Sequence, residues 1–284
     1  MEKFVLLVES GADFPADLAE QYGVWTVPMH VSFGTETKDD GSFPIEDIYT
    51  YFEQTGNLTK TSGCTPEDFA KVFAAIREKE PHKHILHLAY SAATTCSYQS
   101  ALVAAEGLLG ITSIDTKHVT AGQTMVTLLL ARYLEEHPDC TAEEAAAKAQ
   151  EIAERCRMGF FPGDLAYLRA GGRVSNAAYL GAKILHLNPL IELKDGHLTA
   201  TKKYQGRMDK VALKLLDDFV AANRLGRDII AFVYSKGLSD SIHEAAEARA
   251  KELGFKEILW IQTGGVVTTH CGPGGFGVCG IAED

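Results

Sequence analysis

Apolar positions change their spacing from segment to segment along the chain, and each spacing predicts an element. From Lys3 to Glu9 the run is short, nearly continuous and rich in Val and Leu, as in a strand covered on both faces. Asp13 then precedes Pro15 and an Ala/Leu/Glu stretch, which reads as a helix start. Val24 to Phe33 is strand-like but carries Pro28 in its middle, so it predicts two short extended pieces or an edge. Helical spacing covers 44–54, and 57–64 reads as a loop. Thr65-Pro66-Glu67-Asp68 combines a capping hydroxyl, a first-turn proline and two acids at the positive end of a helix that runs to about Lys79. Strands at 84–88 and 111–115 then alternate with helices at 98–108, 122–136 and 141–157. Such alternation predicts a parallel sheet with helices on both faces.

The second half has a different pattern. Pro189 to Lys194 and Leu198 to Tyr204 flank Asp195-Gly196, a strong two-residue hairpin turn. Helix (208–223), strand (229–234), helix (239–253) and strand (257–262) follow. The fold class expected is therefore α/β in two domains. Residues 1–160 form an N-terminal parallel three-layer α/β domain, and residues 161–284 a C-terminal α+β domain with a mixed or antiparallel sheet. No internal repeat or low-complexity tract is visible.

Composition narrows the function classes. With 46% hydrophobic and 23% charged residues in 284, the chain buries a core and is not disordered. Its 27 basic and 38 acidic residues give a net charge of -11, which opposes nucleic-acid binding. The apolar run Phe4 to Val8 is too short for a signal peptide, and no run reaches the roughly eighteen residues of a membrane span. Stable membrane insertion is not expected. Cysteines at 64, 96, 140, 156, 271 and 279 are scattered, without C-x-x-C spacing, as in a protein of the reducing cytoplasm. His82, His84 and His87 read as a polar strand entry, and no metal site is expected.

Three stretches concentrate hydroxyls and glycines: Thr61-Ser62-Gly63, Ser91 to Ser97, and Gly264 to Gly280, all read as loops. The first two precede helix starts, where free N–H groups suit a carboxylate or a phosphate; the same hydroxyls also serve as caps and turn formers. Gly272-Pro273-Gly274-Gly275-Phe276-Gly277 has a superficial likeness to a dinucleotide fingerprint, but too little chain follows to supply the helix, strand and ribose-binding acid. No G-x-x-x-x-G-K-[ST] loop is present, so no nucleotide cofactor is expected. His270 sits where glycines let backbone approach a ligand closely. Arg173, after Gly171-Gly172, either grips an oxyanion or bonds loop carbonyls. Lys202, Lys203, Arg207 and Lys210 make a basic cluster that is a solvated face or a dock for an acidic partner or phosphate.

In order and spacing, these segments resemble the DegV family of bacterial fatty-acid-binding proteins nearly end to end. The matching pieces are VESGADFP, VPMHVSFG, Asp40-Gly41, TSGCTPEDF, the Ser91 loop, Ile114-Asp115 with Gly122, YLRAGGRVS, LGAKILHLNPLIELKDGHL and THCGPGGFGV. The resemblance implies two α/β domains with a long-chain fatty acid buried between or beside them, the N-terminal one bearing the carboxylate-binding loops and the other completing the pocket. It also implies a binding subunit without catalytic activity of its own, which presents the acyl carboxylate to a separate ATP-bearing fatty-acid kinase subunit. Carried over residue by residue, it points to Thr61, Ser62 and Ser91 as carboxylate donors. The second loop departs from the family's S-S-x-L-S-G-T-Y at Ala92 and Cys96, which leaves Ser91 and Thr95 as alternative donors. The terminal pattern places His270 near the carboxylate, with Thr269 and Gly272 intact beside it. Arg173 and Arg207 match arginines of the pocket and of the kinase-facing surface. Two competing readings are a stand-alone hydrolase or transferase built on Ser91, His270 and Asp115, which lacks a G-x-S-x-G elbow, and a sensor whose bound lipid controls docking to another protein.

Overall fold

A computed structural model describes residues 3–173 and 187–283 of the chain. The end of YLRAGGRVS and the start of LGAKILHLNPLIELKDGHL lie outside the described residues. The chain opens with β1 (Phe4–Glu9), α1 (Ala16–Tyr22), β2 (Trp25–Val27), β3 (His30–Phe33), β4 (Glu36–Asp39), α2 (Glu46–Thr55) and β5 (Lys60–Ser62). It continues through α3 (Pro66–Lys79), β6 (His84–Ala89), α4 (Ser97–Ala105), β7 (Ile111–Asp115), α5 (Thr120–Glu136), α6 (Ala142–Arg155), β8 (Cys156–Phe161) and α7 (Leu165–Gly171). The remainder comprises β9 (Leu187–Lys194), β10 (His197–Gln205), α8 (Met208–Ala222), β11 (Leu225–Tyr234), α9 (Asp240–Glu252), β12 (Glu257–Gln262), α10 (Gly265–Cys271) and β13 (Phe276–Ala282).

Three sheets result. The first is parallel, in the order β2-β1-β6-β7. The second, β10-β9-β8-β13-β11-β12, is antiparallel except for the parallel β11–β12 pair. A small antiparallel sheet, β4-β3-β5, stands apart. Pro28 does divide Val24 to Phe33, and the two pieces join different sheets. The capping motif of α3 is realised in full: Asp68 N–H donates to Thr65 Oγ1 (3.2 Å), and Asp68 Oδ2 accepts from Thr65 N–H (2.7 Å).

Strand alternation sends Val5, Leu7 and Ile85 to one face of the parallel sheet, against Phe69, Phe73 and Ile76 of α3. Leu6, Val8, Leu86 and Leu88 go to the other face, against α5 and α6. The same cluster continues through Met158, Ile191, Ala231 and Cys279 of the six-stranded sheet. Thus α5 and α6 lie between the two sheets, and 12 of the 17 residues of α5 are buried. On its far face the six-stranded sheet sets Phe161, Phe232 and Val278 against Leu215 and Phe219 of α8 and Ile242 of α9.

Two expectations about loops are corrected. Gly264 to Gly280 is α10 followed by β13, and within 57–64 the segment Lys60–Ser62 pairs with β3 as an edge strand. The glycines of the terminal segment answer to packing: a Cβ on Gly275 would stand 2.2 Å from Cys271 Sγ.

Candidate functional site

Residues of β8, β10, β11 and β13, of α10 and of the loops after β5 and β6 line one cavity. Most of its wall is apolar: Met29, Val119, Met158, Phe160, Leu168 and Phe276. Hydroxyls, an imidazole and a guanidinium come from Thr61, Ser62, Thr94, Thr95, His270 and Arg173, with Thr120, Ser235 and Thr263 as further polar residues of the lining.

Local geometry brings these polar groups together. The loop after β5 packs directly on the loop before α4, because position 63 is glycine: a Cβ there would lie 2.3 Å from Thr95 Oγ1 and 2.7 Å from Ser97 Oγ. Ser97 Oγ accepts from Cys64 N–H (3.0 Å) and is 3.1 Å from Thr95 Oγ1, so the two hydroxyl loops form one unit. The start of the second loop is fixed by Glu9, whose Oε2 accepts from Tyr90 N–H (2.8 Å) and Gln123 Nε2 (2.8 Å). Burial works to raise the Glu9 pKa, but the His87 imidazole 3.2 Å away and these donors bring it below the usual carboxylate value.

His270 lies in the last turn of α10. Two carboxylates from the N-terminal half hold the other end of that helix: Asp13 Oδ1 accepts from Gly264 N–H (2.7 Å), and Asp40 Oδ1 from Gly265 N–H (2.7 Å). Negative charge is favourable there. Ser10 Oγ donates to Asp40 (2.8 Å), and Thr120 Oγ1 donates to Asp13. Burial raises the pKa of both acids.

The His270 ring is bonded on one side only. Nε2 lies 2.8 Å from Thr61 Oγ1, while Nδ1 is buried without a hydrogen-bond partner. Nδ1 faces Gly171 so closely that a Cβ there would stand 2.1 Å away. Burial, with help from the Arg173 charge, depresses His270 to about 4, so the imidazole is neutral at pH 7. A neutral ring has one N–H, and placing it on Nδ1 would strand a buried donor. The better tautomer carries the proton on Nε2 and donates it to Thr61 Oγ1, which leaves the Thr61 hydroxyl proton free for a third group. Arg173 donates to Gly171 O (2.7 Å) and also lines the cavity.

Other sequence candidates lie elsewhere. Ser91 is fully buried and donates to Gly196 O (2.8 Å) at the tip of the β9–β10 hairpin, and it is not part of the cavity wall. Asp115 Oδ1 accepts from Lys117 N–H (2.9 Å) and Ala92 N–H (3.2 Å), so Ser91, His270 and Asp115 are not arranged as a nucleophile, base and orienting acid. Thr269 is buried against Thr59 (3.0 Å between hydroxyls). Gly272 ends α10 with φ 71, its carbonyl accepting from Ser235 Oγ (2.5 Å). Arg207 caps the start of α8 at the surface, paired with Asp209 at 3.6 Å, beside Gly237 and Gly274. The sequence reading passed over Asp13 and Asp40 as supports of α10; a buried acid two residues before a proline and an Asp-Gly pair were the available signals. Among the described residues no group of three or more His, Cys, Asp or Glu is arranged to hold a metal, and no helix is long and apolar enough to cross a membrane.

Comparison with known proteins gives the same family from three directions. A family model described as "Uncharacterised protein, DegV family" matches residues 3–283. A DegV domain-containing protein of Caldanaerobacter subterraneus is 27% identical over 98% of both chains. A protein of Thermotoga maritima named fatty acid-binding protein is 26% identical over 97% of both. Among solved structures, a DegV family protein from Thermus thermophilus described for its fatty acid binding superposes with a TM-score of 0.87 at 27% identity, covering 99% of this chain and 100% of that one. With a family model spanning nearly every residue and relatives of the same length and fold, this chain belongs to the DegV family.

Proposed function

We propose that this protein binds one long-chain fatty acid in this cavity and holds the carboxylate at the Thr61–His270 pair. The observation that carries the reading is a single, mostly apolar cavity whose lining also holds a cluster of polar groups around the bonded pair Thr61 and His270. Each acyl CH₂ moved from water into such a wall contributes about 0.8 kcal/mol. Burying the carboxylate costs several kcal/mol unless it receives hydrogen bonds or a counter-charge. Thr61, Ser62 and Thr95 supply hydroxyl protons, His270 orients that of Thr61, and Arg173 supplies the charge. Since the Ser91 hydroxyl is committed to Gly196, Thr95 is the donor from the second loop. Relatives whose names and descriptions specify fatty acid binding support the same ligand class.

The finer part of the proposal is that the protein carries out no phosphoryl transfer itself and offers the bound carboxylate to an ATP-bearing kinase subunit in the cytoplasm, a compartment to which six cysteines without a disulfide are suited. Arg207 is the residue proposed to face that partner, because its side chain is exposed and its surface neighbour Gly274 adjoins the cavity-lining Gly275.

The test is to denature the purified protein, extract it with organic solvent and identify the extract by mass spectrometry beside an unrelated control protein. Stoichiometric long-chain fatty acid is expected; an extract no richer than the control, from well-folded protein, would refute the carrier reading. For the partner, Arg207→Ala should keep the bound lipid and lose acyl-phosphate formation with the kinase subunit. Equal formation with both proteins would remove Arg207 from that role.

A further inference from the structure

Away from the polar cluster, the wall of the cavity backs onto a pair of thiols. Cys156 opens β8, and Cys279 lies on the neighbouring antiparallel β13, two residues off direct register (Cys279 opposite Met158, Cys156 opposite Ile281). Their sulfurs are 3.6 Å apart, and both residues are at most 2% exposed. Alternation along the strands places Cys156 on the same face as Met158 and Phe160, and Cys279 on the same face as Gly277 and Gly275. Met158, Phe160 and Gly275 line the cavity. One two-residue strand step, about 7 Å, therefore separates the thiol pair from the cavity wall.

The third member is His118, just before α5. Its Nε2 is 3.0 Å from Ala153 O, and its buried Nδ1 has no hydrogen-bond partner. The two thiols are not equivalent. The Cys279 sulfur 3.6 Å away brings Cys156 down to about 5 against the opposing effect of burial, with His118 adding to the drop. Cys279 is raised by the same contact and by burial, and each sulfur also lies near an α5 carbonyl, Cys156 at 3.8 Å from Gly122 O and Cys279 at 3.6 Å from Ala121 O. Burial pushes His118 down, but the Cys156 sulfur beside it lifts it above its ordinary value. Of the two sulfurs, Cys156 is the one more readily made a thiolate.

We propose that Cys156 and Cys279 form a reversible redox site that takes a hydroperoxide as its substrate, with Cys156 as the attacking sulfur and Cys279 as the resolving one. The Cys156 thiolate attacks the terminal oxygen of ROOH; the O–O bond breaks, and RO⁻ leaves as ROH with a proton from His118. Cys156 is then a sulfenic acid. The Cys279 sulfur attacks the Cys156 sulfur, the S–O bond breaks, and hydroxide leaves as water with the Cys279 proton. In sum, ROOH and two thiols give ROH, water and one disulfide: the peroxide gains two electrons and the thiol pair loses them. An external dithiol reverses the step by exchange.

The experiment uses the full chain carrying Cys96→Ser, which removes the one exposed thiol. The protein is treated with hydrogen peroxide, blocked with N-ethylmaleimide under denaturing conditions, digested and examined by mass spectrometry. A peptide linking Cys156 to Cys279 is expected, and dithiothreitol should restore both thiols. Recovery of both residues as maleimide adducts after peroxide treatment would overturn the proposal, with no dependence on a variant's folding. In Cys279→Ser, a sulfenic acid should persist at Cys156 and be trapped by dimedone; trapping elsewhere, or none, overturns the assignment of roles. In His118→Asn, with an unchanged circular dichroism spectrum, disulfide formation should slow about tenfold. An unchanged rate would take His118 out of the mechanism.

Discussion

His270 and His118 are both buried imidazoles with an unpartnered Nδ1, and they are shifted in opposite directions. At His270 the neighbours are a hydroxyl, a glycine and the Arg173 cation, so burial is reinforced and the ring is neutral. At His118 the neighbour is a sulfur that gains by becoming anionic, so burial is outweighed and the cation is favoured. The difference teaches that burial alone does not assign a role to a histidine. The charge that its nearest partner can adopt does, and here it separates a residue that positions a donor from one that moves a proton.

The comparison breaks most clearly at the polar cluster. Replacing Thr61 and Thr95 by Val together leaves a buried carboxylate short of two donors, and such an uncompensated charge costs about 3–5 kcal/mol. Bound lipid in the double variant should fall to the level of an unrelated control protein in the extraction assay, while the thiol pair behind the apolar wall still oxidises. The acid response sharpens the contrast next. Folded His270 sits at about 4 against 6.5 unfolded, so between those values only the unfolded chain takes the proton, and stability is lost as pH falls from 6.5 toward 4. His270→Gln should remove on the order of 3 kcal/mol of that loss, read from urea unfolding at both pH values. His118 has the opposite sign: its contribution is full below 6.5 and lost as pH rises through its higher folded value, so His118→Gln should lower stability at acid pH by a constant amount and leave the slope between 6.5 and 4 unchanged.

A smaller effect is expected from Gly171→Ala. The added methyl meets His270 Nδ1, and overpacking of this kind costs about 1–3 kcal/mol. A melting curve and a lipid titration should both respond, since the ring cannot yield without losing Thr61. The smallest effect is spectroscopic. A carboxylate bound beside His270 should raise its pKa and leave His118 unmoved, as followed by NMR of ring-labelled histidine.

How far the sequence carried the structure depended on the range of the forces involved. Local chemistry was legible: the Thr65–Asp68 capping motif, the Asp195-Gly196 hairpin turn and the split at Pro28 all appear where the pattern placed them. Thr61, Ser62, Thr95, Arg173 and His270, marked by their hydroxyl- and glycine-rich surroundings and given roles by the resemblance, stand around one cavity. Long-range capture was not legible. Ser91 reads as a free loop hydroxyl until the hairpin tip 105 residues later takes its proton. The terminal glycines read as loop because a glycine needed for close packing and one needed for a turn look alike in sequence; Gly277, where an added Cβ would stand 2.6 Å from Phe160 Cβ, is the first kind.

The placement of α5 has a consequence for how the molecule comes apart. The 12 residues it buries face the parallel sheet on one side and the six-stranded sheet on the other, and the bidentate pair from Arg132 to Glu257 (2.8 and 2.7 Å) ties it to the far edge strand. Neither sheet can melt without stripping a face of this helix, so the two halves should lose structure cooperatively, in one calorimetric transition whose enthalpy matches the van't Hoff value. A DegV chain assembled in this way holds its two halves as one framework, so any opening of the cavity falls to local motion at its rim.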